Sequence, residues 1–166
     1  MNYFKFDIIF QEIPNEISLA IYFTGCPLHC KGCHSPELWN AQNGQTYSTK
    51  VLAYLLQKYR KSLSCVLFMG GEWEPKTLIE SLLLVKAENL KCALYTGRER
   101  DDLSPLILEN LDYLKTGPWR EELGGLTSPT TNQRFYILTQ NNQKIEPIND
   151  PFKEDRHVFE THRWAN

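Results

Sequence analysis

The chain has 166 residues, of which 42% are hydrophobic, 23% charged and 12% aromatic, with a formal net charge of -2 at pH 7. That length fits one domain with a buried core better than two, and the composition is that of a globular chain rather than a disordered one. The charge balance excludes electrostatic capture of nucleic acid or of an acidic membrane as the basis of function.

Taken in chain order, Tyr3–Phe10 reads as a strand, rich in aromatic and β-branched residues. Lys5 and Asp7 interrupt the apolar core that a signal peptide would need. No later stretch approaches the roughly 18 apolar residues of a membrane span, so the expected location is the cytoplasm. Ser18–Phe23 is a second strand, and a cysteine-rich loop follows it. Val51, Leu52, Leu55, Leu56 and Tyr59 recur at helical spacing, with Ser48 placed as N-cap. Cys65–Met69 is the next strand, leading into Gly70-Gly71-Glu72. Leu78, Ile79, Leu82 and Leu83 form a second helical stripe, with Pro75 suited to its first turn. Cys92–Tyr95 is a strand that runs into Thr96-Gly97. A third helix near Asp101–Glu109 is weakened by Pro105 within it. Strands at Leu111–Leu114, ahead of Lys115-Thr116-Gly117, and at Phe135–Leu138 complete the set. The domain is expected over 1–140, with 141–166 as an irregular polar tail.

Strands alternating with helices imply an α/β fold with mostly parallel strands. A closed eight-stranded barrel needs at least about 200 residues, so an open, partial (β/α) barrel is expected. The four motifs then lie at the C-terminal ends of strands, the rim where α/β barrels build their active sites.

Of the five cysteines, Cys26, Cys30 and Cys33 share one loop with the spacing C-x3-C-x2-C. An odd, clustered set does not read as a disulfide framework, and in a reducing compartment it points to metal. Three thiolates hold three corners of a 4Fe–4S cubane and leave one iron open, whereas an electron-transfer cluster is commonly held by four. The competing reading is zinc, with His29 or His34 as fourth ligand. Paired ligand groups are usual there, and no second pair follows; His157 and His162 are far along the chain. Cys65 and Cys92 each begin an apolar run and read as core residues.

Three cysteines at this spacing after a strand resemble the signature of the radical S-adenosylmethionine superfamily. The resemblance implies a 4Fe–4S cluster on Cys26, Cys30 and Cys33 that chelates S-adenosylmethionine and cleaves it reductively to methionine and a 5′-deoxyadenosyl radical. Met69-Gly70-Gly71-Glu72 is similar to the superfamily's Gly-Gly-Glu motif, which implies that Gly70, Gly71 and Glu72 hold the methionine ammonium; a carboxylate acceptor suits such a donor. Thr96 is placed against the ribose and Lys115 against the methionine carboxylate.

Within the superfamily, the run from Gly25 to Trp39, with Pro36 and Trp39 after the last cysteine, resembles the anaerobic ribonucleotide reductase activating proteins. Gly117-Pro118-Trp119 and Asn132-Gln133-Arg134 add to the likeness, which covers about 18–138. It implies an enzyme that draws a hydrogen atom from a glycine of the reductase large subunit and leaves a glycyl radical. A low-potential electron donor such as flavodoxin or ferredoxin is implied as a second partner. Departures include an insertion at Glu72-Trp73-Glu74-Pro75 and Lys115-Thr116-Gly117 where Asp-Gly is common. Alternatives are an activase of another glycyl-radical enzyme, the 7-carboxy-7-deazaguanine synthase of queuosine formation, or a non-enzymatic zinc or iron–sulfur module.

Overall fold

The computed structural model describes residues 1–138. The expected tail, 141–166, lies outside them, as do His157 and His162. The described chain forms a seven-stranded sheet: β1 (Asn2–Ile9), β2 (Ser18–Phe23), β3 (Gln45–Thr46), β4 (Cys65–Met69), β5 (Lys91–Tyr95), β6 (Tyr113–Thr116) and β7 (Arg134–Ile137). Their spatial order is β3-β1-β2-β4-β5-β6-β7. The central four, β2, β4, β5 and β6, are parallel. Antiparallel strands flank them, β1 and β3 on one side and β7 on the other. The sheet is thus mixed and not closed. The short β3, unforeseen in the sequence, is made of the polar pair Gln45 and Thr46 and carries no apolar signal.

Three helices connect the parallel strands: α1 (Thr49–Tyr59), α2 (Pro75–Ala87) and the single turn α3 (Pro105–Leu108). Ser48 occupies the N-cap of α1 in extended conformation, but its hydroxyl makes no capping bond. Pro105 opens α3 rather than interrupting a longer helix, because a first-turn proline gives up no intrahelical bond. β6 begins two residues later than expected. Asp112 is held before it by Lys86 and by the Cys92 amide, so pairing with β5 starts at Tyr113 opposite Ala93.

All three helices cover one face. Leu52, Leu55 and Leu56 of α1, Leu78, Leu82 and Val85 of α2, and Ile107 of α3 pack on Leu19, Ile21, Phe23, Val66, Phe68, Leu94 and Leu114. Because side chains alternate across a strand, the residues between these form a smaller cluster on the other face. It contains Ala20, Cys65, Leu67, Ala93, Tyr113 and Phe135, covered by Ile13 from the β1–β2 connection. Cys65 and Cys92 are fully buried, one in each cluster, as expected of core residues. Among the described residues no helix is long and apolar enough to cross a membrane.

Candidate functional site

The parallel register lines up one residue from the end of each central strand. Tyr22 is opposite Met69, Met69 opposite Tyr95, and Tyr95 opposite Lys115. All four lie on the face away from the helices, and all four line one cavity of about 400 Å³. The same cavity is lined by Cys26, Cys30, Cys33, Gly70, Glu72 and Thr96. The motifs separated in sequence therefore meet at one end of the sheet.

The cysteine loop leaves β2 through Thr24 and Gly25. The buried Thr24 hydroxyl bonds to carbonyls of Asn2, Ala41 and Asn43. The amides of Gly25 and Cys26 both donate to the Leu38 carbonyl. Gly25 has φ +88°, and a Cβ there would press on Ala41 at 3.1 Å. The loop is thus fastened at its root and returns through a turn at Pro36–Leu38. His29 stacks on Trp39 with ring centroids 4.9 Å apart, and His34 packs against Trp119 at 4.4 Å. Aromatic packing thus accounts for both histidines beside the cysteines.

The three thiols are free and half-buried. Burial is the largest influence on Cys26 and pushes its thiol up, while the amides of Leu28 and His29 pull it back. The Ser35 amide donates to the Cys33 sulfur at 3.4 Å. Backbone donors aimed at sulfur stabilise thiolate ligands. Among the described residues, no three His, Cys, Asp or Glu side chains converge to hold a single ion. Three free cysteines that line one cavity could each give a thiolate to one iron of a polynuclear cluster.

After β4, Gly70 and Gly71 turn the chain at φ +82° and +99°. A Cβ on Gly71 would meet the Phe23 ring at 2.6 Å, and one on Gly70 the Trp73 ring at 2.5 Å. This turn delivers Glu72 into the cavity with a side chain only 2% exposed. Its Oε1 accepts a hydrogen bond from the Thr96 hydroxyl at 2.7 Å and lies 3.6 Å from Arg98 Nε. Its Oε2 is buried with no partner. Burial, the largest influence, raises the Glu72 carboxyl above the usual range against the opposing pull of Thr96 and Arg98. A buried carboxylate oxygen with nothing to accept from is costly and fits an ammonium donor brought by a ligand.

Lys115 stands on the cavity wall with its ammonium 5.0 Å from the Tyr95 ring centre. Burial lowers its pKa, partly offset by the negative charge of Glu12. The Tyr95 hydroxyl donates to the Glu12 carbonyl and so ties the β1–β2 connection to the rim. Asn132 and Gln133 donate to the carbonyls of Pro118 and Gly117, and the Arg134 guanidinium donates to those of Thr131 and Gln133. This segment thus clamps the loop after β6.

Glu12 and Arg98 were not singled out in the sequence, and Trp73 and Trp119 entered only as members of longer segments, not as cavity residues. Arg98 is two residues past Thr96, and nothing local distinguishes it from a solvated charge. The row Tyr22–Met69–Tyr95–Lys115 was open to discovery by counting back from each motif to its strand end.

Residues 17–137 match the family described as 4Fe-4S single cluster domain, and the chain belongs to that family. It is 28% identical over 115 residues to the anaerobic ribonucleoside-triphosphate reductase-activating protein of Vibrio cholerae, covering 62% of this chain and 74% of that one. A protein of the same name from Enterobacteria phage T4 is 25% identical over 131 residues, 73% of this chain and 84% of its own. The pyruvate formate-lyase-activating enzyme of Clostridium pasteurianum is 33% identical over 87 residues, which are 49% of this chain but only 37% of that enzyme. The resemblance to radical S-adenosylmethionine activating proteins is borne out by these matches.

Proposed function

We propose that the chain is an activating enzyme that installs a glycyl radical on an anaerobic ribonucleotide reductase. The observation that carries the reading is one cavity lined both by three half-buried thiols and by a buried carboxylate with an unpartnered oxygen. Bound there, a 4Fe–4S cluster and S-adenosylmethionine would supply reductive carbon–sulfur cleavage and hydrogen-atom abstraction from a glycine.

The chain's own residues hold, orient and shield. Cys26, Cys30 and Cys33 would each take one iron. The backbone of Gly70 and Gly71 and the Glu72 carboxylate would hold the methionine ammonium, a charge-assisted pairing. Lys115, on the neighbouring strands' side of the cavity, would take the methionine carboxylate. Leu28, Trp73 and Trp119 line the cavity and would keep water from it. No acid–base pair is needed, since the cofactors carry the chemistry.

We read the sheet, with helices on one face and the cavity on the other, as the wall of a partial barrel within a single domain proposed over 1–140. The open side leaves a route for a glycine-bearing loop of a protein substrate. A flavodoxin or ferredoxin would supply the electron. Pyruvate formate-lyase is the second substrate to test, because the C. pasteurianum relative has the highest identity of the three described.

The test is to incubate reconstituted protein, S-adenosylmethionine and a reductant anaerobically with the reductase and, separately, with pyruvate formate-lyase from the same organism. A glycyl-radical doublet by electron paramagnetic resonance on the reductase alone is the expected result. A signal on the lyase alone would reassign the substrate, and none on either would overturn the activase reading.

A further inference from the structure

Thr96 is joined to the site by two bonds that fix the direction of its proton. The Arg98 amide donates to Thr96 Oγ1 at 3.0 Å. The same oxygen donates to Glu72 Oε1 at 2.7 Å, in a bond buried from solvent. A hydroxyl has one proton to give, and this one is committed to Glu72. The Arg98 side chain reaches the same oxygen, with Nε at 3.6 Å. Thr96 hydrogen-bonds Oε1, while Arg98 Nε, buried with no hydrogen-bond partner of its own, faces that oxygen only as an ion pair; Oε2, buried and unpartnered, is left as the acceptor.

We infer that Thr96 is a positioning residue: it holds the Glu72 carboxylate in the rotamer that offers Oε2 to the ammonium of an amino-acid-bearing adenosyl ligand, and it does not serve the ribose. This rests on the proposed S-adenosylmethionine site. The physical reason is specific. A glutamate side chain has three rotatable bonds, and Gly70 and Gly71 on its N-terminal side offer no side chain to restrain it. Burial disfavours its charged form. A short hydroxyl bond inside the protein both fixes the geometry and favours the charge. Arg98 is placed to assist, and its backbone amide orients the hydroxyl, so Thr96-Gly97-Arg98 works as one unit.

The test compares two ligands on the reconstituted protein by calorimetry under anaerobic conditions. S-adenosylhomocysteine carries the ammonium and 5′-methylthioadenosine lacks it, while both carry the adenosine. Thr96→Val is expected to weaken S-adenosylhomocysteine about tenfold, the size of a hydrogen bond to a charged group, and to leave methylthioadenosine within about twofold. Thr96→Ser, which keeps the hydroxyl, is expected to restore wild-type affinity to within about threefold. Equal weakening of both ligands, or of neither, would overturn the inference. A loss confined to methylthioadenosine would return Thr96 to the ribose. Wild-type protein that binds neither ligand would overturn the underlying site itself, a result separate from any behaviour of the variants.

Discussion

Glu72 and Gly71 show how single residues set the site. Gly71 adopts φ +99° with the Phe23 ring 2.6 Å from where a Cβ would lie. Both the backbone and the space therefore exclude a side chain. Gly71→Ala is expected to lower stability by about 1–3 kcal/mol, measured by chemical denaturation. Gly125→Ala, whose Cβ would meet only the Trp119 ring at 4.0 Å, is the control and is expected to change stability by less than about 0.5 kcal/mol. At this scale the sequence was informative where chemistry repeats in a short motif. The cysteine spacing and the Gly70-Gly71-Glu72 motif point to Cys26, Cys30, Cys33, Gly70 and Glu72, which share one cavity. It was uninformative where a role depends on a partner far along the chain. Thr96 meets Glu72 across 24 positions, and nothing in Tyr95-Thr96-Gly97 points to a carboxylate.

At the scale of elements, Glu16 ties the β1–β2 connection to two strands of the sheet. Its buried carboxylate accepts from Lys91 of β5 and from the Tyr113 hydroxyl of β6. Burial alone raises its pKa most, but the hydrogen bonds of Lys91, Ser64 and Tyr113 together outweigh it, and the net shift is downward. A carboxyl with a depressed folded-state pKa stabilises the fold above its unfolded value, 4.5, and that contribution fades as the pH falls through the folded value. Glu16→Gln is expected to cost about 1–2 kcal/mol at pH 7 and to flatten the loss of stability on acidification below about pH 4.5. Melting curves of both proteins between pH 3 and pH 7 measure this. Leu82 of α2 is fully buried against the sheet, and Leu82→Ala is expected to cost about 2–5 kcal/mol. The strands β2 and β4 fall where the sequence places them, since both are apolar on both faces and end at motif glycines. β6 does not, because Leu111 is apolar but packs in the core ahead of the strand, while Asp112 is spent on capping contacts. Apolarity alone does not tell those roles apart.

For the whole molecule, one sheet divides its labour between faces. Helices seal one face with a continuous core, and the ends of four parallel strands build a cavity on the other. The class of fold was legible because helices and strands alternate and short parallel connections demand crossovers. The antiparallel strands at both edges were not, since a strand's own residues say little about its partner's direction. The central claim is that Cys26, Cys30 and Cys33 together hold a cluster that acts on S-adenosylmethionine, while Cys65 and Cys92 only fill the core. It is tested most directly by reconstituting the protein anaerobically with iron and sulfide, adding S-adenosylmethionine and a strong reductant, and measuring bound iron and 5′-deoxyadenosine. The account predicts about four irons per chain and product in wild type and in Cys65→Ala, with both lost in Cys26→Ala, Cys30→Ala and Cys33→Ala. Full iron loading without product in wild type, or product that survives loss of the loop cysteines, would contradict it.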